Sequence, residues 1–232
     1  MTHFLTLDGK EIPLTLRWHA RAKRLILKMD PKGNGVIVTL PKGVPAQSGL
    51  DMAERHQVWI ANQLMRQPDI IAFKDGQRID FQGRPYWLKH LPDARGTVWC
   101  EGDSIFVAGK GEFFERRLCD WLKKQAKSVI ESQAHNMAAQ LGKDIKRISV
   151  RDTVSRWGSC SSHGNLSFNW RLILAPPDIL TYVIAHEVSH LRHMDHSADF
   201  WATVETFNVN VKKSRRWLKA HGQLLQSYGG TD

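Results

Sequence analysis

Residues 179–196 read ILTYVIAHEVSHLRHMDH, an apolar run leading straight into four histidines and one glutamate within eleven positions. The run has to be buried, and its length and the polar residues that close it fit a core helix. His186 and His190 are four positions apart. On a helix they differ by about 40° in direction and stand one turn apart, close enough to share one ion. Glu187 follows the first histidine and can lean toward the ion's open position without binding it. The spacing is HExxH, in which glutamate acts as general base beside a Lewis-acid metal. Three residues so spaced also recur by chance; their place at the end of an apolar helical run gives them weight.

A catalytic zinc takes three protein ligands and keeps one position open. His193 faces nearly the same way as His186 and His190 but lies about 4.5 Å further along the axis. Three ligands strung along one side of one helix do not approach a tetrahedral ion from separate directions. The third must come from another segment. His196 serves if the helix ends near Met194 and the chain turns, with Asp195 or Ser197 capping a new helix. His193 then sits at the helix end, where an imidazolium meets the dipole favourably. Glu205, on the later helix, is a weaker alternative. Zinc is the expected metal, one ion per chain, because nonredox hydrolysis suits Glu187, although imidazoles also take nickel, cobalt and copper.

The rest of the chain supplies context. Its 232 residues suffice for one large domain or two small ones. The three cysteines, Cys100, Cys119 and Cys160, are far apart and form no CxxC pair. They argue against a disulfide framework and fit a reducing compartment. Neither a secretory leader nor a membrane span stands out, so a soluble cytoplasmic protein is expected. The formal net charge is +10, concentrated in RWHARAKRLILK (17–28) and KKSRRWLK (212–219). Such a surface attracts polyanions, nucleic acid and nucleotides included, although a solvated basic face explains it as well.

The fold class read from the pattern is α+β. Residues 1–110 form a β-rich domain with one helix. Residues 23–40 make a hairpin around DPKGNG, 47–67 an amphipathic helix, and 77–91 and 97–109 two further strand pairs. No internal repeat stands out. Residues 111–232 form the second domain. A long helix over 113–141 ends at Gly142, and strands follow at 147–154 and 165–174. Pro177 opens the histidine helix, and helical stretches follow near 197–207 and 211–225.

The stretch RWGSCSSHGNLSFNWRLILAPPDILTYVIAHEVSHLRHMDHSADFW resembles the core of the YgjP-like metallohydrolase family, related to SprT-like and Wss-type proteases within the zincin superfamily. The matching parts are Arg156 to Cys160, then His186-Glu187 and His190, then His196 after a five-residue spacer, and Phe200-Trp201. RAKRLILKMDPKGNGVIVTLPKGV and VKKSRRWLKAHG are similar to the family's opening and closing segments. The resemblance implies a minimal zincin-like catalytic domain and supports His196 as a ligand. It does not fix a substrate.

The leading functional expectation is a zinc metallopeptidase acting on a peptide or protein. Zinc lowers the pKa of its water, Glu187 takes the proton, and the proton later passes to the leaving amine. An edge strand, NLSFNWRL or RISVRDTV, would pair with extended substrate. Arg156, His163 and Tyr182 are candidates, by residue type, for stabilising the oxyanion. RWGSC fits a structural role, with Trp157 packed over the helix at a glycine turn, as well as a catalytic one. Trp170, Phe200 and Trp201 are expected in the core around the metal. Two other readings stand beside this one. Hydrolysis of a nucleotide phosphoanhydride lacks a GxxxxGK[ST] loop or a magnesium carboxylate cluster. A nucleic-acid-binding protein with a structural metal would need a closed four-ligand site.

Overall fold

The computed structural model describes residues 2–30, 35–66 and 71–229. The chain divides into two compact units, Met1–Pro68 and Asp69–Asp232.

In the first unit β1 (Thr2–Leu7) and β2 (Lys10–His19) form a hairpin. Its turn residues Asp8 and Gly9 both take positive φ, 48° and 76°, as a two-residue turn between twisted strands requires. β3 (Ile26–Met29) and β4 (Val36–Pro41) make the antiparallel pair expected over 23–40. The expected turn between them, at 31–34, lies outside the described residues. β2 and β4 pair in parallel, giving the order β1-β2-β4-β3. Alternate residues Ile12, Leu14, Leu16 and Val36, Val38, Leu40 are buried, sharing a core with Ala53 and Ile60. Those two come from α1 (Ala46–Arg55) and α2 (Gln57–Arg66). The single helix expected over 47–67 is therefore two. At His56 the backbone leaves the helical region, its amide turns to Ala53, and its ring Nδ1 pairs with the Met52 carbonyl at 2.8 Å.

The second unit begins with a sheet of the same design. β5 (Arg78–Phe81), β6 (Arg84–Leu91), β7 (Val98–Glu101) and β8 (Ser104–Ala108) take the order β5-β6-β8-β7, again with a parallel central pair. The likeness is one of topology. Leu88, Ile105 and Val107 share one core with Leu118 and Leu122 of α3 (Phe114–Gln140). The change of pattern near residue 110 thus falls at the start of α3, within this unit. α3 buries Leu118, Leu122, Ala126, Ile130, Ala134 and Ala138, a stripe repeating every fourth residue. It stops at Gly142, whose φ of 62° suits the left-handed cap position.

A three-stranded sheet follows, ordered β10-β11-β9, from β9 (Arg147–Arg151), β10 (Gly158–Cys160) and β11 (Asn165–Asn169). The strand expected over 165–174 ends early. The Asn169 side chain accepts a hydrogen bond from Arg171 N at 2.7 Å and caps a 3-10 helix over Trp170–Leu174. The strand expected over 147–154 likewise stops at Arg151, and Asp152 instead pairs with Arg171. Arg171, 1% exposed, also donates to the Tyr228 and Gly229 carbonyls and so ties the end of the chain to the core. Three helices complete the unit, α4 (Pro177–Ser189), α5 (Ala198–Glu205) and α6 (Val211–Ser227). Among the described residues no helix is long and apolar enough to cross a membrane.

Candidate metal centre

α4 is apolar on nearly every side, with Ile179, Leu180, Val183, Ile184, Ala185 and Val188 each 4% exposed or less. A helix buried all round is a fixed platform. Its last turn carries His186 and Glu187, where the carbonyl end of the helix dipole favours a cation. The helix ends at Ser189, earlier than the expected Met194, but His190 keeps helical angles (φ −64°, ψ −17°) in the cap position. The one-turn stacking of His186 and His190 therefore survives. The chain then reverses. The His193 carbonyl meets His190 Nδ1 at 3.0 Å, Asp195 accepts from Ser197 N at 3.1 Å, and Ser197 caps α5 by accepting from Phe200 N. This reversal returns His196 to α4.

The outcome is a cluster in which one ligand atom each from His186, His190 and His196 lies within 4.8 Å of the others. Nε2 of His186 and Nε2 of His196 are 3.2 Å apart. Two nitrogens each about 2.0–2.1 Å from a tetrahedral zinc are separated by roughly 3.3 Å, so the pair fits that ion. His190, with Nδ1 engaged by a carbonyl, has Nε2 to offer. Among the described residues His186 Nδ1 is buried and has no hydrogen-bond partner. His193 contributes its carbonyl to this arrangement, and Glu205 stands exposed at the end of α5. Neither joins the cluster among the described residues.

The electrostatics suit the neutral imidazoles that bind metals. Burial, then the neighbouring His190 and His196, push His186 down to about 4. His190 is lowered too, chiefly by burial. Glu187 is 6% exposed, and burial raises its carboxyl to about 7 although Arg156 pulls the other way. Its contact with Gly158 explains part of RWGSC. A Cβ built on Gly158 would lie 2.5 Å from Glu187 Cγ and 2.6 Å from its Oε1. Only glycine leaves β10 room for that side chain. Cys160, on the same strand, is pushed up to about 11 by burial and then by Glu187.

The remaining sequence candidates separate. Tyr182 is buried, its ring 6.1 Å from that of His186, and burial raises its pKa. Arg156 is exposed and acts on Glu187 through its charge. His163 stands exposed beyond β10, facing Ser162 Oγ. Trp157 packs against Gly222 on α6, and Gly158 lies in a strand instead of a turn. Phe200 is fully buried with its ring 4.6–5.0 Å from those of all three histidines, and Trp201 flanks His186 and His196. Trp170 is core as well, but it lies under the Arg171 guanidinium. NLSFN proves to be the middle strand of its sheet, so it has no free edge.

Sequence reasoning missed Arg215 on α6. Its guanidinium lies 5.8 Å from the Trp201 ring centroid, and its charge reaches His186 and Tyr182. Nothing local distinguishes it from the other basic residues of 212–219, such as Lys213, which pairs with Asp178 at 2.8 Å.

The family described as YgjP-like, metallopeptidase domain, matches residues 23–221, most of the chain and parts of both units. The chain belongs to the YgjP-like family. It is thus a metallopeptidase at the level of its family. No curated protein matches it. Among solved structures, the metallopeptidase zymogen abylysin of Pyrococcus abyssi is similar over 41% of this chain and 94% of that one, at 18% identity and a TM-score of 0.36. So partial a likeness carries no argument.

Proposed function

We propose that this YgjP-like chain is a zinc-dependent peptidase in which His186, His190 and His196 hold the ion and Glu187 is the general base. The observation that carries the reading is the 3.2 Å separation of the His186 and His196 Nε2 atoms, with His190 alongside in the same cluster. Zinc, when bound, lowers the pKa of a coordinated water and polarises a substrate carbonyl. Glu187 accepts the water's proton on a carboxylate oxygen and returns it to the leaving amine nitrogen. In the metal-free protein burial raises this carboxyl to about 7.

β10 is the edge strand that supports substrate binding. In its antiparallel pair with β11, Asn169 N donates to Trp157 O and Ser161 N to Asn165 O. By the alternation of such ladders, the backbone groups of Gly158 and Cys160 then point away from β11. An extended peptide added there would run past Glu187, which touches Gly158. Membership of a metallopeptidase family favours this reading over a nucleotide substrate or a structural metal.

The test is hydrolysis of a mixed peptide library by zinc-loaded wild type and Glu187→Gln. Cleavage by wild type, and its loss by at least a hundredfold in a variant that keeps its zinc, is the expected result. Equal cleavage by both would overturn the assignment of the base.

A further inference from the structure

Arg215 is a cation near the histidine cluster that the mechanism above leaves without a task. Other basic side chains of this unit have ion-pair partners: Lys127 has Glu131, Arg171 has Asp152 and Lys213 has Asp178. Arg215 is exposed and, among the described residues, makes no ion pair. It lies instead against Trp201, whose ring centroid is 5.7 Å from that of His186 and 5.8 Å from that of His196. The guanidinium and two of the proposed ligands therefore neighbour the same aromatic ring. Arg215 also lines a concavity of about 720 Å³ with Lys212, Asn208, Asn210 and Glu205. A guanidinium presents a planar fork of donors that suits a carboxylate in bidentate contact.

Resting on the peptidase reading, we infer that Arg215 is a specificity residue that receives a substrate carboxylate close to the scissile bond. The carboxylate comes from an acidic side chain or from the end of the substrate chain. Charge-assisted hydrogen bonding of this kind is worth about tenfold in kcat/KM at a partly exposed site. Glu205 lines the same concavity and opposes an acidic guest, so Glu205→Gln should widen the preference.

The test takes peptides that wild type cleaves and varies one residue beside the cut among Asp, Asn and Lys, each with a free or an amidated C-terminus. Wild type should favour Asp over Asn about tenfold if the carboxylate is a side chain. It should favour the free over the amidated end if the carboxylate is terminal. Either ratio should fall to about one in Arg215→Gln, recover in part in Arg215→Lys, and persist in Arg216→Gln, with zinc content followed throughout. A ratio near one in wild type, or one that survives Arg215→Gln, overturns the inference and leaves the peptidase reading standing. Should wild type cleave no peptide, calorimetric binding of the Asp and Asn peptides to the zinc-loaded protein decides the matter. Preference for Asp that depends on Arg215 would keep the subsite while the peptidase reading fails. Equal binding would remove the subsite.

Discussion

Gly158→Ala separates the position of Glu187 from everything else at the site. The added methyl would stand 2.5 Å from Glu187 Cγ and 2.6 Å from Oε1, against about 3.5–4.0 Å for an ordinary contact. Glu187 must therefore move by roughly 1 Å, and a displacement of that size costs on the order of a hundredfold in rate. The effect on stability is no larger than the roughly 2.7 kcal/mol that a hundredfold in rate represents. Overpacking costs about 1–3 kcal/mol, while replacing glycine returns roughly 0.4–1 kcal/mol through the unfolded chain. Gly158 does not take a positive φ, so no backbone strain adds to this. A net loss of up to about 2 kcal/mol lowers Tm by roughly 4–8 °C for a chain of this length. The assay is kcat on a peptide cleaved by wild type, beside zinc content and a thermal melt, for Gly158→Ala, Glu187→Gln and the double variant. Gly158→Ala should lose about a hundredfold in kcat with zinc retained, and should cost little more once Glu187 is already Gln. Near-wild-type turnover in Gly158→Ala, or two penalties that simply add, would refute the claim that this glycine acts by making room for the base.

Further outcomes follow from the same geometry. Because burial raises Glu187 from 4.5 to about 7, the metal-free native state holds a proton there that the unfolded chain releases, and this contribution to stability is lost as pH rises from about 4.5 through 7. Metal-free Glu187→Gln should therefore gain on wild type across that window, by up to about 3 kcal/mol at pH 8, and a difference independent of pH in denaturant melts would contradict it. His186, lowered to about 4, works the other way: its contribution is present above about pH 6.5 and lost as pH falls toward 4, so metal-free His186→Ala should show a weaker acid destabilisation than wild type in the same melts. Asp152→Asn leaves the Arg171 guanidinium, 1% exposed, without its counter-charge. A loss of about 3 kcal/mol in chemical denaturation is expected, and a loss below about 0.5 kcal/mol, the scale of a surface pair, would show that the pair is not structural.

What the sequence made legible was local. The one-turn spacing of His186 and His190, the need for a third ligand from beyond the helix, and the fourfold stripe of α3 all follow from helical geometry. The α+β class followed from the same periodicities. The strand expected over 165–174 overruns Asn169 because WRLIL, apolar save for Arg171, is buried throughout, and such a run has no period to distinguish a strand from a 3-10 helix. The Asp8-Gly9 turn carries its own signal, since Asp-Gly is a strong hairpin dipeptide. The break at His56 had no glycine or proline to announce it. The parallel pairings β2–β4, β6–β8 and β9–β11 join segments that no short-range pattern connects. Gly158 against Glu187 and Arg215 beside Trp201 are of the same kind, contacts that exist only after α4, β10 and α6 have packed.

The central claim is that His186, His190 and His196, without His193, hold one zinc beside Glu187. Its most direct test is the zinc content of protein purified without a metal-binding tag, for wild type, His196→Ala and His193→Ala in parallel. The account predicts about one zinc per chain in wild type and in His193→Ala, and its loss in His196→Ala. Zinc kept in His196→Ala but lost in His193→Ala, or none in wild type after zinc is supplied, would contradict it.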